Sequence, residues 1–132
     1  MTLVDANVLM YAVGKAHAHK ARSGAFLERV AEGRIEAVLD AETLQEILRR
    51  YRAVGREADA YQVYRLARKL FPEVLPITGH VMDRAAELIQ KSPHVASRDA
   101  VHAAVVFEHR LTSITSFDKD FDRIPGLRRV EP

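Results

Sequence analysis

Thr2-Leu3-Val4-Asp5-Ala6-Asn7-Val8-Leu9 is the stretch on which the reading of this chain turns. Three residues suited to a strand run directly into a carboxylate, and an apolar helical run follows without an intervening loop. An acid at the carboxyl end of an apolar strand lies close to burial. Buried charge is costly unless it is paired or bound to a cation, so Asp5 is the first candidate functional residue. In open parallel sheets, ligands bind outside the carboxyl ends of the strands, where the strand order reverses.

Working outward, strands and helices alternate. The spacing predicts a helix from Val8 to Val13 capped by Asn7, and a second from about His19 to Glu32, stopped by Gly33. Ile35 to Leu39 reads as a strand, and Asp40 as the cap of a helix reaching about Val54. Leu44, Ile47, Leu48 and Tyr51 mark that helix's buried face. Further helices are expected over Glu57 to Leu70 and Gly79 to Lys91, and from a Ser97 cap through His109. Val74-Leu75, bracketed by Pro72 and Pro76, suits a short edge strand. Thr112 to Thr115 and Arg128 to Val130 complete the strands, with a turn of helix opening at Asp118. This order predicts an α/β sandwich, a central parallel sheet flanked by helices, in one domain spanning residues 1–132.

Composition sets limits. The 132 residues are 48% hydrophobic and 29% charged with a net charge of +2, a globular balance. A chain of this length can bury roughly two-thirds of its unfolded surface. The absence of cysteine excludes disulfides and thiolate zinc sites. No segment approaches the about 20 apolar residues of a membrane span, and no basic leader precedes the first apolar run, so a cytoplasmic protein is expected. Basic residues crowd Lys15 to Arg22 and Arg49 to Arg68. A basic surface around an acidic pocket suits a metal-dependent enzyme acting on a polyanion.

Three further acids stand where such a site draws ligands: Asp99 in the first turn of a helix, Asp118 just after a strand, and Glu46 beside a buried helical stripe. Singly, each has an ordinary explanation. Asp99 favours a helix dipole, Asp118 caps a turn, and Glu46 pairs with Arg50 at i, i+4. Together, converging carboxylates repel one another unless protonated or bridged by a cation. Hard oxygen ligands select Mg2+ or Mn2+, which activate water and stabilise phosphoryl oxygens in an in-line displacement. Glu42, one turn before Glu46, shares roughly its face and is the competing ligand. His102, three residues after Asp99, reads as a residue that packs and hydrogen-bonds, with contact to the pocket or substrate as the alternative. His17 and His19 read as surface histidines, and Arg49, Arg50, Arg52 and Arg56 as either solvated side chains or phosphate contacts.

Val4-Asp5-Ala6-Asn7-Val8-Leu9, Glu46 within Thr43 to Leu48, Asp99 within Ser97 to Ala104, and Ser116-Phe117-Asp118-Lys119-Asp120-Phe121 resemble the four acidic motifs of PIN-domain ribonucleases. Their order and spacing resemble those of VapC-type toxins of toxin–antitoxin pairs. The resemblance implies a metal-dependent endoribonuclease acting on RNA. It makes Asp5, Glu46, Asp99 and Asp118 the metal-binding acids, Asn7 and Ser116 the polar residues orienting them, and Asp120 a further acid near the metal. It also implies a homodimer restrained by a cognate antitoxin. Tyr61, Tyr64, Leu70 and Phe71 are the expected apolar dimer face. The first motif also distantly resembles that of haloacid-dehalogenase phosphatases, which want a second aspartate where Asn7 stands. A further alternative is an inactive RNA- or protein-binding module on the same fold.

Overall fold

The structure, a computed structural model, describes residues 1–132. Five strands form one sheet: β1 (Thr2–Val4), β2 (Ala37–Asp40), β3 (Val74–Leu75), β4 (Ser113–Thr115) and β5 (Arg129–Val130). All neighbouring pairs are parallel, and the order is β3-β2-β1-β4-β5. The chain builds outward from β1 to β2 and β3, then crosses back to add β4 on the other side of β1. The reversal of strand order therefore falls between β1 and β4, at the carboxyl end of which Asp5 and Ser116 lie. This is the crevice that open parallel sheets use for ligands.

Six helices cover the two faces: α1 (Ala6–Val13), α2 (Lys20–Ala31), α3 (Ala41–Ala53), α4 (Glu57–Leu70), α5 (Gly79–Lys91) and α6 (Ser97–Glu108). Strand alternation divides the core. Leu3, Val38 and Ile114 pack with α5 and α6, whereas Val4 and Leu39 pack with α1 to α4. No helix is long and apolar enough to cross a membrane.

The expected order of elements and the α/β/α sandwich are observed, with local corrections. Asn7 does not cap α1. It lies inside the helix, and Asp5 takes the cap position with extended backbone but makes no side-chain capping bond. The carboxylate of Asp5 is directed instead to Ser116, and Asn7 does the same. Ser97 is likewise the first residue of α6, behind an Ala96 cap. β2 starts two residues later than expected because Arg34 and Ile35 still donate to the carbonyl of Arg29, closing the end of α2 around Gly33. That glycine adopts a left-handed φ of 73°, which a side chain would disfavour. Finally, Phe71 is removed from the expected apolar dimer face: it is buried at the end of α4, and only Tyr61 of the expected set is exposed.

Candidate metal centre

Ser116 organises the site. Its buried hydroxyl donates to Asp5 Oδ2 at 2.6 Å and accepts from Asn7 Nδ2 at 3.0 Å and the Asp118 backbone N–H at 2.9 Å. One serine thus ties together the end of β1, the first turn of α1 and the segment leaving β4. Asp118 Oδ1 accepts from the Asp120 N–H at 2.9 Å, capping the short 3₁₀ turn Lys119–Arg123. The capping explanation for Asp118 therefore holds for one of its two oxygens.

The acids fall into two adjoining groups. Asp5, Glu46 and His102 bring ligand atoms within 4.8 Å of one another, and so do Asp99, Asp118 and Asp120. All of the first group and Asp99 are buried, Asp118 is half-buried and Asp120 is exposed. The groups feel each other's charge. Burial raises Asp99 to about 6, and the charges of Asp118 and Asp5 push in the same direction against Arg98 and His102. Burial also raises Asp5 above the usual carboxylate range, outweighing His102 and the Ser116 bond. Arg98 stands at the mouth, 3.9 Å from Glu46 and 3.7 Å from Asp99. Glu42 is half-buried and belongs to neither group.

His102 both packs and hydrogen-bonds, and it also reaches the site. Three residues after Asp99 on α6, its ring is 1% exposed, and its Nδ1 lies 2.7 Å from Asp40 Oδ2. Its Nε2 has no hydrogen-bond partner and stands 3.8 Å from Glu46 Oε2. Asp40 is fixed in turn by the Thr43 N–H at 2.9 Å and the Thr43 hydroxyl at 3.0 Å. Burial alone would discharge the imidazole, but Asp40 and the neighbouring carboxylates outweigh it and hold His102 well above its ordinary value. Reciprocally, His102 outweighs burial at Asp40 and, with Arg98, at Glu46, holding both below the usual carboxylate range. The sequence signal for this chain of groups was the pairing of an apolar-stripe histidine with an acid that caps a buried helix. Neither residue indicates the other until the sheet brings them together.

The donor set fits a hard divalent cation. Carboxylate oxygens dominate, repulsion between them is only partly relieved by His102 and Arg98, and the buried Asn7 Oδ1 beside them has no donor. A cation would neutralise the acids, and it or its water would satisfy such an oxygen.

Comparison with known proteins agrees with this geometry. The family model described as PIN domain matches residues 2–127. Ribonuclease VapC13 of Mycobacterium tuberculosis is 38% identical over 130 residues, covering 98% of this chain and 99% of the relative. Ribonuclease VapC23 of the same species is 35% identical over 118 residues, with 89% and 93% covered. Among solved structures, VapC20 of Mycobacterium tuberculosis, described as a sarcin-ricin loop cleaving toxin, superposes with a TM-score of 0.80 at 14% identity over the full length of both chains. FitAcB of Neisseria gonorrhoeae has a TM-score of 0.72 at 21% identity, covering 98% of this chain and 96% of the other. VapBC2 of Rickettsia felis, solved with a DNA fragment from its promoter, has 0.77 at 15%, covering 98% and 97%.

Proposed function

This chain belongs to the PIN domain family, and on that premise we propose that it is the toxin endoribonuclease of a toxin–antitoxin pair, hydrolysing RNA phosphodiesters with Mg2+ or Mn2+. The observation that carries the reading is the convergence of two acidic groups on the crevice between β1 and β4, tied by Ser116. Asp5, Asp99 and Asp118 would hold the ion, with Glu46 beside them and Asp120 at the exposed rim. When bound, the ion supplies an activated water and charge neutralisation at the phosphoryl oxygens. The chain's own residues do the rest. Ser116 orients Asp5, Asn7 steadies Ser116, and the Asp40–His102 pair sets positive charge beside Glu46. Arg98 supplies positive charge at the mouth, where a phosphate would approach. By analogy with its relatives, the partner is a cognate antitoxin chain, and the protein self-associates as a homodimer. The phosphatase alternative loses ground because Asn7, where that chemistry needs a carboxyl, is engaged with Ser116.

The direct test is cleavage of a structured RNA by purified protein. Cleavage should require Mg2+ or Mn2+ and stop with EDTA. Cleavage that survives complete chelation would remove the metal mechanism. Because Asp99 holds a proton up to about pH 6, metal binding measured by calorimetry should weaken as pH falls through that value.

Glu46 and Glu42 are separated by mutation. Glu46→Gln should slow cleavage by about 10² or more, whereas Glu42→Gln, outside both groups, should change it little. Equal losses would mean that neither carboxylate is distinguished by its place on α3.

A further inference from the structure

The stretch from Gly14 to His19, between α1 and α2, is not helical. The chain there folds back instead, and four rings collect beside the acids. His19 stacks on Phe117 with centroids 3.9 Å apart and planes 12° apart, and His17 stacks on Tyr11 at 4.5 Å. Tyr11 meets Phe117 edge-on at 5.5 Å and His19 at 5.1 Å. The Arg22 guanidinium lies 5.5 Å from the Phe117 ring.

Tyr11, His19 and Phe117 line a cleft of about 700 Å³ that also reaches Asn7 and Asp118. The same cleft receives Arg49, Arg50, Arg56 and Arg98. Arg56 is engaged with Asp59 at 2.7 Å, but Arg49 and Arg50 are exposed and make no ion pair. The rings therefore border guanidinium groups available to phosphates, and Phe117 sits in sequence between Ser116 and Asp118. Half-buried aromatic faces next to unpaired arginines match the chemistry of single-stranded nucleic acid, in which bases present π-faces and the backbone presents phosphates. A ligand offering phosphate alone would leave the rings unused.

We propose that Tyr11, His19 and Phe117 form a stacking platform for an unpaired base of the RNA next to the cleaved bond, with Arg49 and Arg50 holding the adjoining phosphates. This rests on the ribonuclease reading and deepens it. A base stacked on the exposed side of this ring cluster lies in the same cleft as Asp118. His17 supports the platform by packing on Tyr11 and does not itself line the cleft. The arrangement selects unpaired over duplex RNA, since a base within a helix cannot offer a free face.

The test uses a single-stranded RNA carrying 2-aminopurine at successive positions, with calcium in place of magnesium and its integrity checked on a gel. Binding is read by anisotropy and stacking by quenching of the 2-aminopurine. The unsubstituted protein should quench the probe strongly at one position. Phe117→Leu and Tyr11→Leu should each abolish that quenching and weaken binding about tenfold. Phe117→Tyr should retain both, and inorganic polyphosphate should bind all four proteins alike. Circular dichroism confirms that each variant is folded, and Tyr11→Leu carries the test if Phe117→Leu is not. Unaltered quenching and affinity in the leucine variants, with RNA still bound and cut by the parent, would overturn the platform and leave the ribonuclease reading intact. Polyphosphate affinity falling in step with RNA affinity would also overturn it, as a general disturbance of the cleft. A parent that neither binds nor cuts RNA would overturn both.

Discussion

Asp5→Asn should abolish most cleavage while leaving the metal-free protein at least as stable as its parent at neutral pH. The two halves of this result have one cause. Asp5 is buried beside Glu46, His102 and Ser116, and burial raises it above the ordinary carboxylate range, outweighing His102 and the Ser116 bond. A group whose folded value is raised stabilises the fold fully below its unfolded value, about 4, and loses that contribution as pH rises through the folded value. At neutral pH the ionised carboxylate is therefore a cost to the metal-free fold, and asparagine removes it while keeping an oxygen for the Ser116 hydroxyl. The stability advantage of the variant should shrink below about pH 4, where Asp5 is protonated in both states. Magnesium should raise the parent's melting temperature by mass action and the variant's much less. Cleavage should fall by about 10² or more. Thermal melts with and without magnesium check all of this. A destabilised variant beside a parent indifferent to magnesium would remove Asp5 from the metal site and make it a structural acid.

His102→Ala should have the opposite character and the largest effect on stability. It leaves Asp40, fully buried, with only the Thr43 hydrogen bonds and no countercharge. Breaking one partner out of a buried pair costs about 3–5 kcal/mol. In a chain of this size that is on the order of a 10–20 °C fall in melting temperature. The double change Asp40→Asn with His102→Ala should cost less than the sum of the single changes, because the stranded charge is gone. The pair also sets a pH window. His102 is held above its ordinary value, so its contribution is complete below about pH 6.5 and lost as pH rises through the raised value. Asp40 is held below its ordinary value, so its contribution is present above about pH 4 and lost as pH falls further. The pair should therefore stabilise most between about pH 4 and 6.5, and the parent–variant difference should decline on both sides. Urea melts across pH would refute the assignment if His102→Ala were as stable as the parent throughout.

Much of the architecture was legible because its signals are local. Leu44, Ile47 and Tyr51 fall at helical spacing and do face the core, and Asp40 does cap α3 through the Thr43 N–H. Val74-Leu75, bracketed by Pro72 and Pro76, is the short edge strand that such bracketing favours. The failures were at element ends. Asn7 and Ser97 are favoured capping types, yet neither caps, since the cap position depends on where the backbone leaves the strand or loop. At Asn7 a tertiary partner, Ser116, is available to the side chain instead.

By itself the sequence determined the alternation of strands and helices, the exclusion of thiolate chemistry, and the positions in the chain of Asp5, Glu46, Asp99 and Asp118. Those follow from residue type and from periods of two and 3.6, which a chain carries wherever it goes. Only the tertiary structure decided which of these groups meet. The reversal of strand order sets Ser116 against Asp5 and Asn7, although each pair lies more than a hundred residues apart in the chain. It also places His102 between Asp40 and Glu46, and it brings Phe117 against Tyr11 and His19. Charge interactions act through distance in space, and the spacing of residues along a chain does not determine that distance until parallel crossovers bring the strand ends together.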